Sequence, residues 1–145
     1  MLSLLNKFKK VNNTDFDSDD KNILITSILI ECAKSDHDFS LEEKTKIKAL
    51  LKKKLNINDD KLNSVFTNAL ENVKDNIEIY SITKDIRNNF NKSEILEIFE
   101  LMWSVILADG KVDDFEAALM TKLVGLFHLT GRESAEAKKK AMSRI

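Results

Sequence analysis

Helix-breaking residues are scarce in this sequence, which has no proline and only three glycines among its 145 residues. Leu, Ile, Lys, Glu and Asn recur at helical spacings, and few stretches alternate between apolar and polar residues in the manner of strands. The sequence therefore predicts an all-α fold, a single-domain bundle of about seven helices joined by short loops.

Cysteine is equally scarce, since Cys32 is the only one. A chain of this length buries about two-thirds of its unfolded surface and needs no disulfide framework. One cysteine without a secretory signal indicates a reducing, cytoplasmic setting. Cys32 lies in the apolar run 23–33, which favours a small buried thiol, with a reactive nucleophile as the alternative.

Neither sign of charge is in excess, because 23 basic residues face 24 acidic ones and the formal net charge is −1. This balance argues against a dedicated nucleic-acid binder, which needs a positive field. The longest apolar stretches, 23–30 and 101–108, are far shorter than the roughly 20 residues that span a bilayer. We therefore expect a soluble protein with no nucleic-acid partner.

Two segments, 19–35 and 95–108, are apolar on nearly every helical face and should form central, buried helices. The segments 41–55 and 114–128 should form outer helices. Smaller apolar faces are expected on helix 114–128 and on the helix that starts at residue 79: Phe115, Ala118, Leu119, Leu123, Leu126 and Phe127 on the first, and Ile79, Tyr80, Thr83, Ile86 and Phe90 on the second.

Local signals also predict where helices begin and end. Asn91 with Glu94 should open the second central helix, and Thr130 with Glu133 should cap the last helix. Gly110 can take the left-handed conformation that closes the second central helix.

The domain itself is predicted to span 19–145, after an N-terminal amphipathic segment and acidic linker at 1–18. Leu2, Leu5 and Phe8 share one side of this segment, whereas Lys7, Lys9 and Lys10 lie elsewhere. The segment has three interpretations: it docks on the domain, it frays, or it touches a membrane surface or a partner through residues 1–11.

An internal repeat relates the two halves of the chain. The stretch 33–43 aligns with 106–116 at a constant offset of 73 residues, so that Asp36 matches Asp109 and Glu43 matches Glu116. Each copy reads as a buried helix, an acidic turn, an apolar anchor, a capping residue and a glutamate. We expect a pseudo-twofold pair of helical hairpins, each with a buried and an outer helix, bridged by two further helices that begin after Asn58 and at Ile79.

Catalytic motifs are missing, because the sequence has no glycine-rich phosphate loop, no CxxC, no HExxH and no GxSxG. Its two histidines, His37 and His128, are expected to have surface or capping roles, although His37 is also a candidate pH-sensitive metal ligand. The sequence therefore predicts that the protein is not an enzyme.

The acidic turns are the one constellation of interest, and two interpretations of them stay open. Their carboxylates suit hard divalent cations. The same residues form capping boxes, Ser40 with Glu43 and Asp113 with Glu116, which would explain them by helix capping alone. Neither turn is an EF-hand, because Ile47 stands twelfth from Asp36, where a bidentate glutamate is needed.

The run 100–116, with its weaker copy at 33–43, resembles the TerB-like (tellurite resistance protein B-like) family, which is related to a region of DjlA-type co-chaperones. The resemblance implies an all-helical pseudo-twofold fold, a link to tellurite or general stress resistance, and an acidic metal site. The carboxylates make Ca²⁺, Mg²⁺ or Mn²⁺ the expected ion. Residue by residue, it implies that the metal ligands are Asp36, Glu43, Asp109 and Glu116. His37 stands where the family usually has glycine, which disturbs the first turn.

These observations lead to a non-enzymatic cytoplasmic module that binds a divalent metal, a protein partner of unknown identity, or both. The alternative is a protein-interaction or membrane-surface adaptor with no metal site. A hydrolase would need a cleft of carboxylates holding a metal with a vacant coordination position, and a purely structural domain would have none of these features.

Overall fold

The computed structural model describes residues 18–33, 41–74, 79–109 and 112–143. These ranges contain α-helices and one short 3₁₀ turn and no strand, which confirms the all-α prediction. None of the described helices is long and apolar enough to cross a bilayer. The helices are α1 (Ser18–Ala33), α2 (Leu41–Leu55), α3 (Asp59–Lys74), α4 (Ile79–Asn89), α5 (Lys92–Ile106), α6 (Asp114–Leu126) and α7 (Gly131–Ser143), and the 3₁₀ turn is Leu107–Asp109.

The helices α1 and α5 form the centre of the bundle, as the sequence predicted. Every residue from Ile23 to Ile30 in α1 is buried, and so is every residue from Ile98 to Trp103 in α5. The two helices pack on each other, and α1 also packs on α2, α3 and α4. A helix that is apolar all round has no face to give to solvent, so other helices must cover it on several sides.

Two buried hydroxyls within α1 are satisfied locally. The Oγ1 of Thr26 donates to the Asn22 carbonyl, and the Oγ of Ser27 donates to the Ile23 carbonyl, each over 2.8 Å. Because these bonds run to the preceding turn, the polar atoms need no partner from another helix. The helix can therefore be buried all round without leaving these groups unsatisfied.

The internal repeat extends further than the predicted hairpins and covers three helices in each half. The outer helix α2 begins at Leu41 and α6 begins at Asp114, 73 residues later. In each half the third helix packs extensively on the central one, α3 on α1 and α7 on α5. The prediction that α3 is part of the bridge was wrong, because its packing on α1 makes it the third helix of the first half. Among the described helices, α4 is the one that connects the two halves.

The ends of the outer helices also repeat. Asn56 after α2 and His128 after α6 both have left-handed backbone conformations, with φ of 53° and 58°. The His128 N–H donates to the Gly125 carbonyl over 3.1 Å, and the Leu129 N–H donates to the Val124 carbonyl over 2.9 Å. This is a Schellman motif, so His128 terminates a helix, in agreement with the capping role predicted for it.

Side-chain caps begin the helices where the sequence placed them. Asn91 with Glu94 and Asp113 with Glu116 form complete capping boxes at α5 and α6. Thr130 and Glu133 exchange the same two bonds at α7, over 2.9 and 3.0 Å. Such caps set the helix boundaries through local sequence, independently of tertiary packing.

Three residues that the sequence placed on inner faces are exposed instead. Phe115 is 62% exposed and Tyr80 is 53% exposed, and Ala118 also lies on the outside of α6. The buried residues of α6 are Glu116, Met120 and Leu123. This stripe follows the i, i+4, i+7 spacing of one helical face, and Phe115 and Ala118 fall outside it.

The connecting helix α4 joins the halves through a charged contact. Its Arg87 guanidinium donates to the carbonyl of Leu126, in the last turn of α6. Carbonyls in the last turn of a helix have no intrahelical donor and carry the negative end of the helix dipole. Arg87 therefore caps a helix of the second half from the element that precedes that half.

Trp103 provides a test of the packing between α5 and α7. Its indole is 7% exposed, its Nε1–H donates to Ser134 Oγ over 3.3 Å, and the Lys138 Nζ lies 5.0 Å from its ring centroid. We predict that Trp103→Ala lowers the free energy of unfolding by about 3 to 5 kcal/mol in urea denaturation, because it opens a cavity. The matched control is Leu41→Ala, which truncates a side chain that is 79% exposed and should change stability by less than about 0.5 kcal/mol. Equal losses for the two variants would contradict the packing.

Candidate functional site

The second acidic turn follows directly from the end of α5. The α-helix stops at Ile106, two residues before the predicted end, and tightens into the 3₁₀ turn Leu107–Asp109. Gly110, which was expected to close the helix, lies outside the described residues. The chain is described again from Val112, and α6 begins after its cap Asp113.

Glu116, the last carboxylate of this motif, is buried, with only 8% of its surface exposed. Its Oε1 accepts a hydrogen bond from the Asp113 backbone N–H over 3.0 Å. In return, the Asp113 Oδ1 accepts from the Glu116 backbone N–H over 2.8 Å. The capping interpretation of this pair is therefore confirmed, and the cap fixes the position of the Glu116 carboxylate.

The first acidic turn lies mostly outside the described residues, which exclude Asp36, His37, Asp38 and Ser40. Glu43 is described: it is the third residue of α2 and is half-buried. Glu116 is likewise the third residue of α6. The two glutamates thus hold equivalent positions in the repeat.

Glu43 and Glu116 line one groove, of about 640 Å³, between α2 and α5. We call it the α2–α5 groove. Ala33 and Ile106, the last residues of the two central helices, also line it. The remaining wall is mixed and consists of Glu42, Lys46, Ile47, Ala49, Leu50, Lys53, Ser104, Val105 and Ala108. The fold therefore brings the glutamates of both repeats, which are 73 residues apart in the chain, to the same surface feature.

Helix ends of both polarities meet at this groove. The C-termini of α1 and α5 carry partial negative charge, and the N-termini of α2 and α6 carry partial positive charge. Lys46 adds a full positive charge, and its Nζ donates to the Ala108 carbonyl over 3.5 Å. The site thus has carboxylate and carbonyl oxygens that suit a hard cation, together with a lysine that already lies beside one of those carbonyls.

Cys32 lies close enough to this site for its charges to act on the thiol. The side chain is fully buried. Burial raises the pKa of the Cys32 thiol, and the negative charges of Glu31 and Glu116 raise it further. Because the thiolate is the reactive form, this environment favours the buried structural thiol over the reactive alternative.

The full set of four predicted ligands is not described. Glu43 and Glu116 share the α2–α5 groove, Asp36 lies outside the described residues, and so does the side chain of Asp109. Among the side chains that the structure does describe, no three His, Cys, Asp or Glu residues form a group able to hold a metal. The metal ligands therefore remain a prediction.

Lys46 and Ser104 are groove residues that the sequence analysis did not single out. Helical spacing could have found Lys46, because it lies three residues after Glu43 and so on the same face of α2. Ser104 could not be found in this way. It reaches the groove only because α5 packs beside α2, a tertiary contact with no local sequence signal.

The fold and this groove define a class of protein, an all-helical domain built from two copies of a three-helix unit, each of which contributes a glutamate to one groove. Residues 22–139 match the family model of the tellurite resistance protein TerB. The chain therefore belongs to the TerB family, as its motifs indicated. No curated protein and no solved structure matches the chain.

Proposed function

We propose that this protein is a non-enzymatic cytoplasmic module of tellurite or general stress resistance that binds a divalent cation between its two acidic turns. The observation that carries the proposal is the position of Glu43 and Glu116 on a single groove. The predicted ligand set also includes Asp36, three residues after the groove residue Ala33, and Asp109, the residue after the groove residue Ala108.

The chemistry of the donors fits a hard cation. All four predicted ligands are carboxylates, the preferred donors of Ca²⁺, Mg²⁺ and Mn²⁺. Carboxylates brought together at a partly buried site repel one another. A bound divalent ion would relieve that repulsion and tie the two halves of the domain together.

Lys46 is expected to oppose the ion. Its ammonium lies at the Ala108 carbonyl on the same groove, where it supplies one positive charge to the site. Binding of a divalent cation would require this side chain to move away, because like charges repel. Removing the lysine charge should therefore favour the cation.

We predict that millimolar Ca²⁺, Mg²⁺ or Mn²⁺ raises the Tm of the protein. An ion at 100 times its Kd stabilises the folded state by about 2.7 kcal/mol. The double variant Asp109→Asn with Glu116→Gln should abolish the rise, whereas Asp36→Asn should matter less because His37 disturbs its turn. Lys46→Gln should increase the rise. Differential scanning fluorimetry across an ion titration measures all four proteins.

The matched control is Asp114→Asn, which removes an exposed carboxylate from the first turn of α6. It should leave the ion-dependent rise intact. Glutamine at position 116 can still act as the acceptor of a capping box, so loss of the rise cannot be attributed to loss of the cap. If none of the three ions shifts the Tm, the carboxylates serve as helix caps and the metal proposal is wrong.

A protein partner is the second proposed role, and exposed apolar side chains favour it. Leu41 is 79% exposed and Phe115 is 62% exposed. They stand in the first turns of α2 and α6, two helices whose third residues line the α2–α5 groove. Large apolar side chains at one end of a domain are typical of interaction surfaces.

We predict that Leu41→Ser with Phe115→Ser removes any protein partner that co-purifies with the chain from a lysate. Native mass spectrometry of the captured protein would report the mass of a partner and of a bound ion together. Tyr80→Ser is the matched control, because Tyr80 is also an exposed apolar side chain but lies on α4. A partner that survives the double variant, or is lost from the control, would contradict this surface.

A further inference from the structure

A second groove lies beside α5, where residues of α1, α2 and α7 and Phe90 also line it, and it shares no lining residue with the α2–α5 groove. Its volume is about 500 Å³, and its apolar floor includes Ile25, Leu55, Phe90 and Leu101. A neighbouring depression of about 250 Å³ shares Glu97, Glu100 and Lys140 with it. We call the two together the α5–α7 groove.

The charge of the α5–α7 groove is mainly negative. Glu94, Glu97 and Glu100 form a row along α5 at every third residue, and the smaller depression adds Glu133 and Glu136 from α7. Lys54 and Lys140 are the lysines that line it. Some of this charge has local partners, since Glu133 pairs with Lys92 over 2.8 Å and Glu136 pairs with Arg132 over 3.3 Å. An apolar floor with acidic walls fits a segment that is apolar on one side and basic on the other.

The chain itself contains such a segment. Residues 1–11 carry Leu2, Leu5 and Phe8 at every third position, and they carry Lys7, Lys9 and Lys10 without any acidic residue. A three-residue spacing places the apolar side chains on one face if the segment is helical, the same spacing that the glutamates follow on α5.

The connection between the segment and the groove is short. The described chain begins at Ser18, seven residues before the groove residue Ile25, which is about 10 Å along α1 at 1.5 Å per residue. Lys21, in the first turn of α1, lies with its Nζ 5.2 Å from the ring centroid of the groove residue Phe90. The intervening residues 12–17 can span about 20 Å when extended. A short tether also gives an effective concentration of about a millimolar, so that weak binding suffices.

We propose that residues 1–11 dock in the α5–α7 groove of their own chain, with Leu2, Leu5 and Phe8 on its apolar floor and the lysines against the glutamate row. The apolar face of the segment then contacts the domain and is not free to contact a membrane surface. This inference does not depend on the metal site, which lies in the other groove.

The test uses the full chain with a nitroxide spin label on Ser3→Cys. Cys32 is buried, so the wild-type chain should take up no label and serves as the labelling control. In two-dimensional amide spectra, docking predicts that the signals of Glu94, Glu97 and Ser143 lose most of their intensity, compared with spectra in which the nitroxide has been reduced. Lys46 and Ser104, in the α2–α5 groove, should keep theirs.

Charge reversal tests the electrostatic part of the proposal. Glu97→Lys changes an exposed residue of the groove and should restore the lost intensity, whereas Glu71→Lys changes an exposed residue of α3 and should not. Even broadening, broadening centred on the α2–α5 groove, or equal effects of the two reversals would overturn the proposal. Two further results would also overturn it. Broadening seen only when spin-labelled chains are mixed with isotope-enriched chains would indicate docking on a second copy. Co-sedimentation with phosphatidylglycerol vesicles in the absence of broadening would indicate that the segment binds a membrane surface.

Discussion

The packing of α1 on α5 is the contact on which the rest of the structure depends. Each helix is buried through its middle turns, and neither could remain in water with so much apolar surface. Their association leaves several faces to cover, and the third helix of each repeat covers one of them, α3 on α1 and α7 on α5. The last residues of both central helices line one groove, and the equivalent glutamates of the two repeats, Glu43 and Glu116, therefore lie at the same end of the domain.

That convergence has an electrostatic cost, which the local structure reduces. Glu116 accepts a backbone N–H as part of its capping box, and α6 presents its positive dipole end at the same point. Lys46 contributes a positive charge at the end of α5. The arrangement explains why Glu116 is tolerated beside a buried thiol such as Cys32.

Much of this architecture was predictable, because it is encoded locally. Helical periodicity identified the buried helices, and capping residues such as Asn91 and Asp113 identified where helices begin. The offset between Glu43 and Glu116 predicted the repeat. The prediction that Phe115 lies on an inner face was wrong, because periodicity cannot decide which of two neighbouring residues in a first turn faces inward. In the fold Glu116 is buried and Phe115 is exposed. The grooves could not be predicted in detail, because their walls combine helices that are distant in sequence.

Native-state hydrogen exchange can show whether the α1–α5 contact holds both repeats together. We predict that amides from Leu24 to Leu29 in α1 and from Phe99 to Met102 in α5 exchange slowest, with the same opening free energy and the same dependence on denaturant. Outer-helix amides in α2 and α6 should exchange through smaller openings. If one repeat opened at low free energy while the central helix of the other stayed protected, the halves would be separate units that the α1–α5 contact does not hold together.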